Sequence, residues 1–190
     1  MKFKKQLIAA SIIAIIFPLN QAKAEHADSV KQLLILENAK TSLYETVMKK
    51  ESTDIIVIEA EVDQKESFLS LKEESIVYKL VTVNKEQKRI KYFFDPVTGS
   101  EIDSKILTNW NPFDTDKILP SLKITMAEAI ELSQNQFNGK AYKAELEKED
   151  EINFYEIHLV TDTGIKKAIV HSITGRVIQQ SRISHDHDKR

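Results

Sequence analysis

The periodicity of apolar and polar positions changes several times along the chain. Lys2, Lys4 and Lys5 precede an apolar run from Leu7 to Leu19, and Ala22-Lys23-Ala24 closes it. This three-part layout is that of a secretory signal peptide, and the small-residue ending predicts cleavage after Ala24. The run is shorter than the ~20 residues a helix needs to cross a bilayer. No later stretch approaches that length, so no membrane span is expected after cleavage. The mature chain is expected to be periplasmic or secreted.

Beyond the signal, the same order of patterns occurs twice. Ser42-Leu43-Tyr44-Glu45 and Thr125-Met126-Ala127-Glu128 each fit a capping box, in which a hydroxyl and a glutamate satisfy first-turn donors reciprocally. Helical spacing follows, with Leu43, Thr46 and Val47 in the first and Met126, Ala129, Ile130 and Phe137 in the second. Glu51-Ser52-Thr53-Asp54 is a weak stop for the first helix. Asn138-Gly139 should end the second, with glycine relieving left-handed strain.

The period then drops to 2. Tyr142, Ala144 and Leu146 alternate with Lys143, Glu145 and Glu147, as in a strand wetted on one side, and Ile56, Ile58, Ala60 and Val62 play the same part earlier. Val77-Tyr78-Lys79-Leu80 and Phe154-Tyr155-Glu156-Ile157 mark a second strand in each half. A third strand ends in Phe94-Asp95-Pro96-Val97-Thr98-Gly99 and in Val170-His171-Ser172-Ile173-Thr174-Gly175, and short strands leave each turn. The helix starts lie 83 residues apart and the Thr-Gly pairs 76, so the first half holds seven extra residues, most of them within Asp63 to Ser75. They form either an extra strand or a lengthened hairpin. Thr108 to Lys123, with Pro112, Pro120 and little periodicity, reads as a linker.

The expected architecture is therefore α+β: two tandem small domains, each one helix packed on its own antiparallel sheet of three to four strands, in cystatin-like packing. The expected boundaries are a signal peptide at 1–24, a first domain at 25–107 with its core at 42–106, a linker at 108–123, a second domain at 124–180 and a polar tail at 181–190.

Composition narrows the chemistry. The 190 residues contain no cysteine, which excludes disulfides, thiolate metal sites and a cysteine nucleophile. Lys and Arg total 27 against 29 Asp and Glu, a formal charge of -2, so no basic excess points to nucleic acid. Removing Met1 to Ala24 takes away Lys2, Lys4, Lys5 and Lys23 and no acid, leaving a mature charge of -6. No zinc-protease, nucleophile-elbow or phosphate-loop motif occurs, and catalysis is not expected. Glu59 with Glu61, and Glu145 with Glu147, share a strand face but stand among lysines, as solvated surface does.

The remaining candidates are structural or binding residues. Asp95, Thr98 and Gly99, with Thr174 and Gly175, are turn builders: a side-chain acceptor holds backbone N–H groups and glycine supplies the positive φ. Tyr78, Tyr155 and Phe154 read as packing residues. Trp110 and Phe113, in the linker, would either glue the domains together or anchor a partner. His185 and His187 alternate with Asp186 and Asp188 and are weak candidate metal ligands, and no cofactor is expected. His158 and His171 fall on strand faces that alternate with the apolar set.

The capped helix, the aromatic strand and the final strand running into a Thr-Gly turn resemble the PepSY domain, a small helix-on-sheet module of exported bacterial proteins. The resemblance covers Thr125 to Ile178, through Met126-Ala127-Glu128-Ala129-Ile130, Tyr155-Glu156-Ile157 and Ile173-Thr174-Gly175-Arg176-Val177. Ser42 to Ile102 is similar more loosely but keeps Phe94-Asp95-Pro96-Val97-Thr98-Gly99. The family pattern usually has Asp where this chain has His171. The resemblance implies a protein partner, with binding and inhibition or regulation of an envelope or secreted peptidase. A small-ligand or metal sensor and a structural scaffold are the alternatives.

Overall fold

The structure is a computed structural model and describes residues 36–65, 75–108 and 120–179. The signal segment, the linker aromatics Trp110 and Phe113, and the tail histidines His185 and His187 lie outside these residues. Among the described residues, the helices α1 (Leu43–Lys50) and α2 (Met126–Phe137) accompany eight strands. The strands are β1 (Ile55–Lys65), β2 (Ser75–Asn84), β3 (Arg89–Phe94), β4 (Glu101–Leu107), β5 (Gly139–Glu149), β6 (Ile152–Thr161), β7 (Gly164–His171) and β8 (Val177–Gln179).

Both helices begin at the capping boxes. Ser42 Oγ accepts from the Glu45 N–H at 3.2 Å while the Ser42 N–H donates to Glu45 at 2.7 Å, and Thr125 and Glu128 repeat both bonds. At the end of α2 it is Asn138, at φ 48°, that takes the left-handed conformation, whereas Gly139 already opens β5. Asparagine tolerates this region through its short polar side chain. Gly139 has a different duty, because a Cβ there would lie 2.8 Å from the Val160 carbonyl oxygen.

Each half is a four-stranded antiparallel meander behind its helix, but the halves do not form separate domains. The strand order is β4-β3-β2-β1-β5-β6-β7-β8, a single eight-stranded sheet among the described residues. The expectation of two cystatin-like units, each on its own sheet, is corrected accordingly. β1 and β5 join antiparallel, Glu59 opposite Glu145, Ala60 opposite Ala144 and Glu61 opposite Lys143. An isolated meander would expose β1 or β5 as an edge with open N–H and C=O groups, and this pairing removes both edges. The core is shared as well. Leu43 and Val47 of α1 and Met126, Ala129 and Ile130 of α2 belong to one buried cluster, with Ala60 and Ala144 beneath them.

Irregularities in the two strands at the seam match. The β1–β2 register shifts between Val57 and Glu59, and the β5–β6 register shifts between Ala141 and Lys143. A bulge adds one residue and moves the alternation on by one. Ala141 and Ala144 consequently share the helix side with Val57 and Ala60. Tyr142 turns to the opposite face, edge-on to His158 and packed with Leu36 and Val160. The expected alignment of Tyr142 with Ala144 and Leu146 fails for that reason.

β1 and β2 pair in register out to Lys65 and Ser75, and the extra residues of the first half fall within 66–74, outside the described residues. In the second half the equivalent hairpin closes directly from Glu149 to Ile152, through Asp150 and Glu151 at φ 46° and 66°. The end of the expected linker belongs to the second half. Leu122 packs on the core, and Ser121 Oγ accepts from Asn153 Nδ2 at 2.8 Å.

Candidate functional site

The Thr-Gly turns dock each helix onto its strands. Asp95 Oδ1 accepts the Val97 N–H at 2.7 Å and the Thr98 N–H at 3.2 Å, while the Thr98 hydroxyl accepts from Ser100. Gly99 sits at φ 67° and donates to the Asp95 carbonyl. The carbonyl oxygen of the buried Pro96 then accepts from Lys40 and Thr41, ahead of α1. The second turn repeats this with different chemistry. His171 Nδ1 stands in for the aspartate oxygen, accepting the Ile173 and Thr174 N–H groups at 3.2 and 3.3 Å. Thr174 accepts from Arg176, Gly175 sits at φ 66°, and the Ser172 carbonyl accepts from Lys123 and Ile124. A neutral imidazole with its proton on Nε2 can make these bonds, which accounts for the departure from aspartate.

Two buried tyrosines tie the same segments from beneath. Tyr78 donates to the Thr41 carbonyl at 2.7 Å and Tyr155 to the Ile124 carbonyl at 2.8 Å. Burial, then the charge of Glu45, pushes the Tyr78 phenol up to about 12, and burial likewise raises Tyr155. Neither ring lines an open site, so both are packing residues that secure the helices. All five turn residues are committed to backbone geometry in the same sense.

The opposite face of the sheet carries the charged side chains. Lys79 meets Glu59 at 2.7 Å and also Glu61, with only 14% of its side chain exposed. Burial by itself would lower the Lys79 ammonium, but hydrogen bonds to Glu59 and Glu61 hold it above its usual value. Across the seam Lys143 meets Glu145 at 2.9 Å, and Glu156 takes Lys167 at 2.6 Å and His158 at 2.8 Å. Burial opposes ionisation of Glu156, yet these two partners leave its carboxyl below the ordinary range. Glu147 differs: burial, then the charges of Glu145 and Glu156, raises it. Of the carboxylates expected on a wet face, Glu59 and Glu61 are half-buried and paired across strands with Lys79, Glu145 is half-buried and paired with Lys143 on its own strand, and Glu147 is exposed.

An open groove of about 660 Å³ lies on this face over β6, β7 and β8. Phe154, Ile169 and Ile178 form its floor and Ile152 its end, beside Glu149 and Asp150 of the hairpin. His171 and Arg176 border the other end. The sequence signal for it was the alternation Ile152, Phe154, Glu156, which places two large apolar side chains on the charged rather than the helix face. Among the described residues no group of three or more His, Asp or Glu side chains is arranged to hold a metal ion, and no helix is long and apolar enough to cross a membrane.

Glu51 was not singled out by its sequence context. It caps the end of α1, and its carboxylate accepts the Met126 N–H at 2.8 Å and the Ala127 N–H at 3.0 Å, at the start of α2. Burial raises this carboxyl more than the two N–H groups lower it. The anion site at a helix N-terminus is here filled from the other half of the chain.

No curated protein sequence matches the chain. Among solved structures, it is similar to a protein of Clostridium difficile 630 described as a lipoprotein, at 18% identity and a TM-score of 0.39, covering 75% of this chain and 95% of that one. It is also similar to the YpmB protein from Bacillus subtilis, at 17% identity and a TM-score of 0.29, covering 68% and 87%. The profile of the PepSY family, the peptidase propeptide and YPEB domain, matches residues 123–180. That stretch runs from the turn-docked segment before α2 to the end of β8, and over it the chain is similar to the PepSY domain.

Proposed function

We propose that the mature chain is an exported, non-enzymatic protein that binds and restrains an envelope or secreted peptidase. The observation carrying this reading is the PepSY match over residues 123–180, a family described as a peptidase propeptide domain. Export is supported by the layout from Lys2 to Ala24, which is that of a secretory signal peptide. The looser resemblance of Ser42 to Ile102 makes the first half a second, diverged PepSY-like unit, fused to the first through the β1–β5 seam. Restraint is by occlusion. The pairing of Lys79 with Glu59 and Glu61, of Glu156 with Lys167, and the helix cap made by Glu51 support a role for these groups in contact and charge rather than in proton transfer.

The test is a titration of purified mature chain, starting at Glu25, into individual peptidases from the same envelope or culture fluid. Activity is expected to fall to a plateau at 1:1 stoichiometry with the chain itself uncleaved. Unchanged rates and no complex on size-exclusion chromatography across those peptidases would reject this reading.

A further inference from the structure

We propose that the groove over β6–β8 receives an extended partner segment in which bulky apolar side chains alternate with lysine or arginine. This deepens the peptidase-binding reading and rests on it, by naming the surface used and the chemistry of the segment it accepts.

The floor argues for the apolar component. Ile152 and Ile178 are 52% and 49% exposed, and they flank the half-buried Phe154 and Ile169, so large apolar side chains from three strands and a hairpin lie together against water. A contiguous apolar patch bordered by polar groups is the usual form of a protein contact site. The charges argue for the cationic component. Glu149 and Asp150 form the rim at the hairpin, and among the described residues no ion pair engages either. Glu147, opposite Phe154 in the ladder, adds a carboxyl whose proton affinity is already raised by burial, Glu145 and Glu156. Glu156 is balanced by Lys167 and His158, which leaves Arg176 as the single Lys or Arg lining the groove. The mature charge of -6 has the same sign. A lysine or arginine arriving beside Glu147, Glu149 and Asp150 relieves repulsion already present, whereas an acid there adds to it.

Calorimetric titration of the mature chain with three capped hexapeptides tests the proposal: alternating leucine–lysine, alternating leucine–glutamate and alternating serine–lysine. The leucine–lysine peptide is expected to bind at least tenfold more tightly than either of the others, and to weaken as salt is raised. Ile178→Glu and Glu149→Lys, both at exposed positions, should each weaken it at least tenfold with an unchanged circular dichroism spectrum. Binding of the leucine–glutamate or serine–lysine peptide at equal strength, no binding of the leucine–lysine peptide, or indifference to both substitutions overturns the proposal. Its failure is separable from that of the peptidase reading. Inhibition that survives Ile178→Glu and Glu149→Lys removes the groove alone, and peptide binding without inhibition of any peptidase removes the enzyme partner alone.

Discussion

At the scale of single residues, His171 and Glu51 show how an ordinary side chain acquires a structural duty. His171 accepts two turn N–H groups where Asp95 does so in the first half, so what the turn needs is an acceptor three bonds out from Cα rather than a charge. His171→Ala should cost about 1 kcal/mol in urea unfolding, and His171→Asp should restore wild-type stability. A loss in both variants would deny the acceptor role. Glu51→Ala strands the Met126 and Ala127 N–H groups and should cost about 2 kcal/mol. The Glu51 carboxyl is raised in the folded chain, so between its ordinary value of 4.5 and the raised one the folded state holds a proton that the unfolded state has released. Its contribution is therefore complete below about pH 4.5 and declines as pH rises through the folded value. The stability difference between wild type and Glu51→Gln should shrink over that rise, and a flat difference would show that burial does not govern this group.

Among the elements, the β5–β6 hairpin holds two consecutive side chains at positive φ. Asp150 and Glu151 both occupy positive φ, as a two-residue type I′ turn requires, and neither is the asparagine or glycine such turns favour. Replacing them with Asn-Gly should stabilise the chain by about 1 kcal/mol, seen as a raised Tm. An unchanged Tm would place the strain elsewhere. The capped helices and the strand order within each half were legible from periodicity, because capping and alternation are local properties. The bulges were not. An extra residue in one strand is detectable only against its partner, and it is this extra residue that sends Tyr142 to the face of His158 and brings Ala141 under α2.

For the whole molecule, the seam between Ala60 and Ala144 decides cooperativity. A shared sheet and one core predict a single unfolding transition, with matching calorimetric and van't Hoff enthalpies. Two independent domains would give two. A fragment comprising residues 120–190 should be poorly folded, since it exposes the β5 edge and leaves the α2 N–H groups without Glu51. A fragment with native-like chemical-shift dispersion would contradict the shared core. Ala144→Leu should cost about 1–3 kcal/mol by overpacking between sheet and helices.

By itself, the sequence determined the two helix starts, the meanders that follow them, the Thr-Gly turns and the resemblance of the second half to the PepSY pattern. Each depends on contacts between near neighbours or on a short residue pattern. Only the tertiary structure decided that the halves share one sheet, that Glu51 caps the helix of the other half, and that Ile152, Phe154, Ile169 and Ile178 converge on one groove. Those outcomes rest on pairings across many residues, where the cost of open strand edges and unpaired donors is settled by whichever distant segment can reach them.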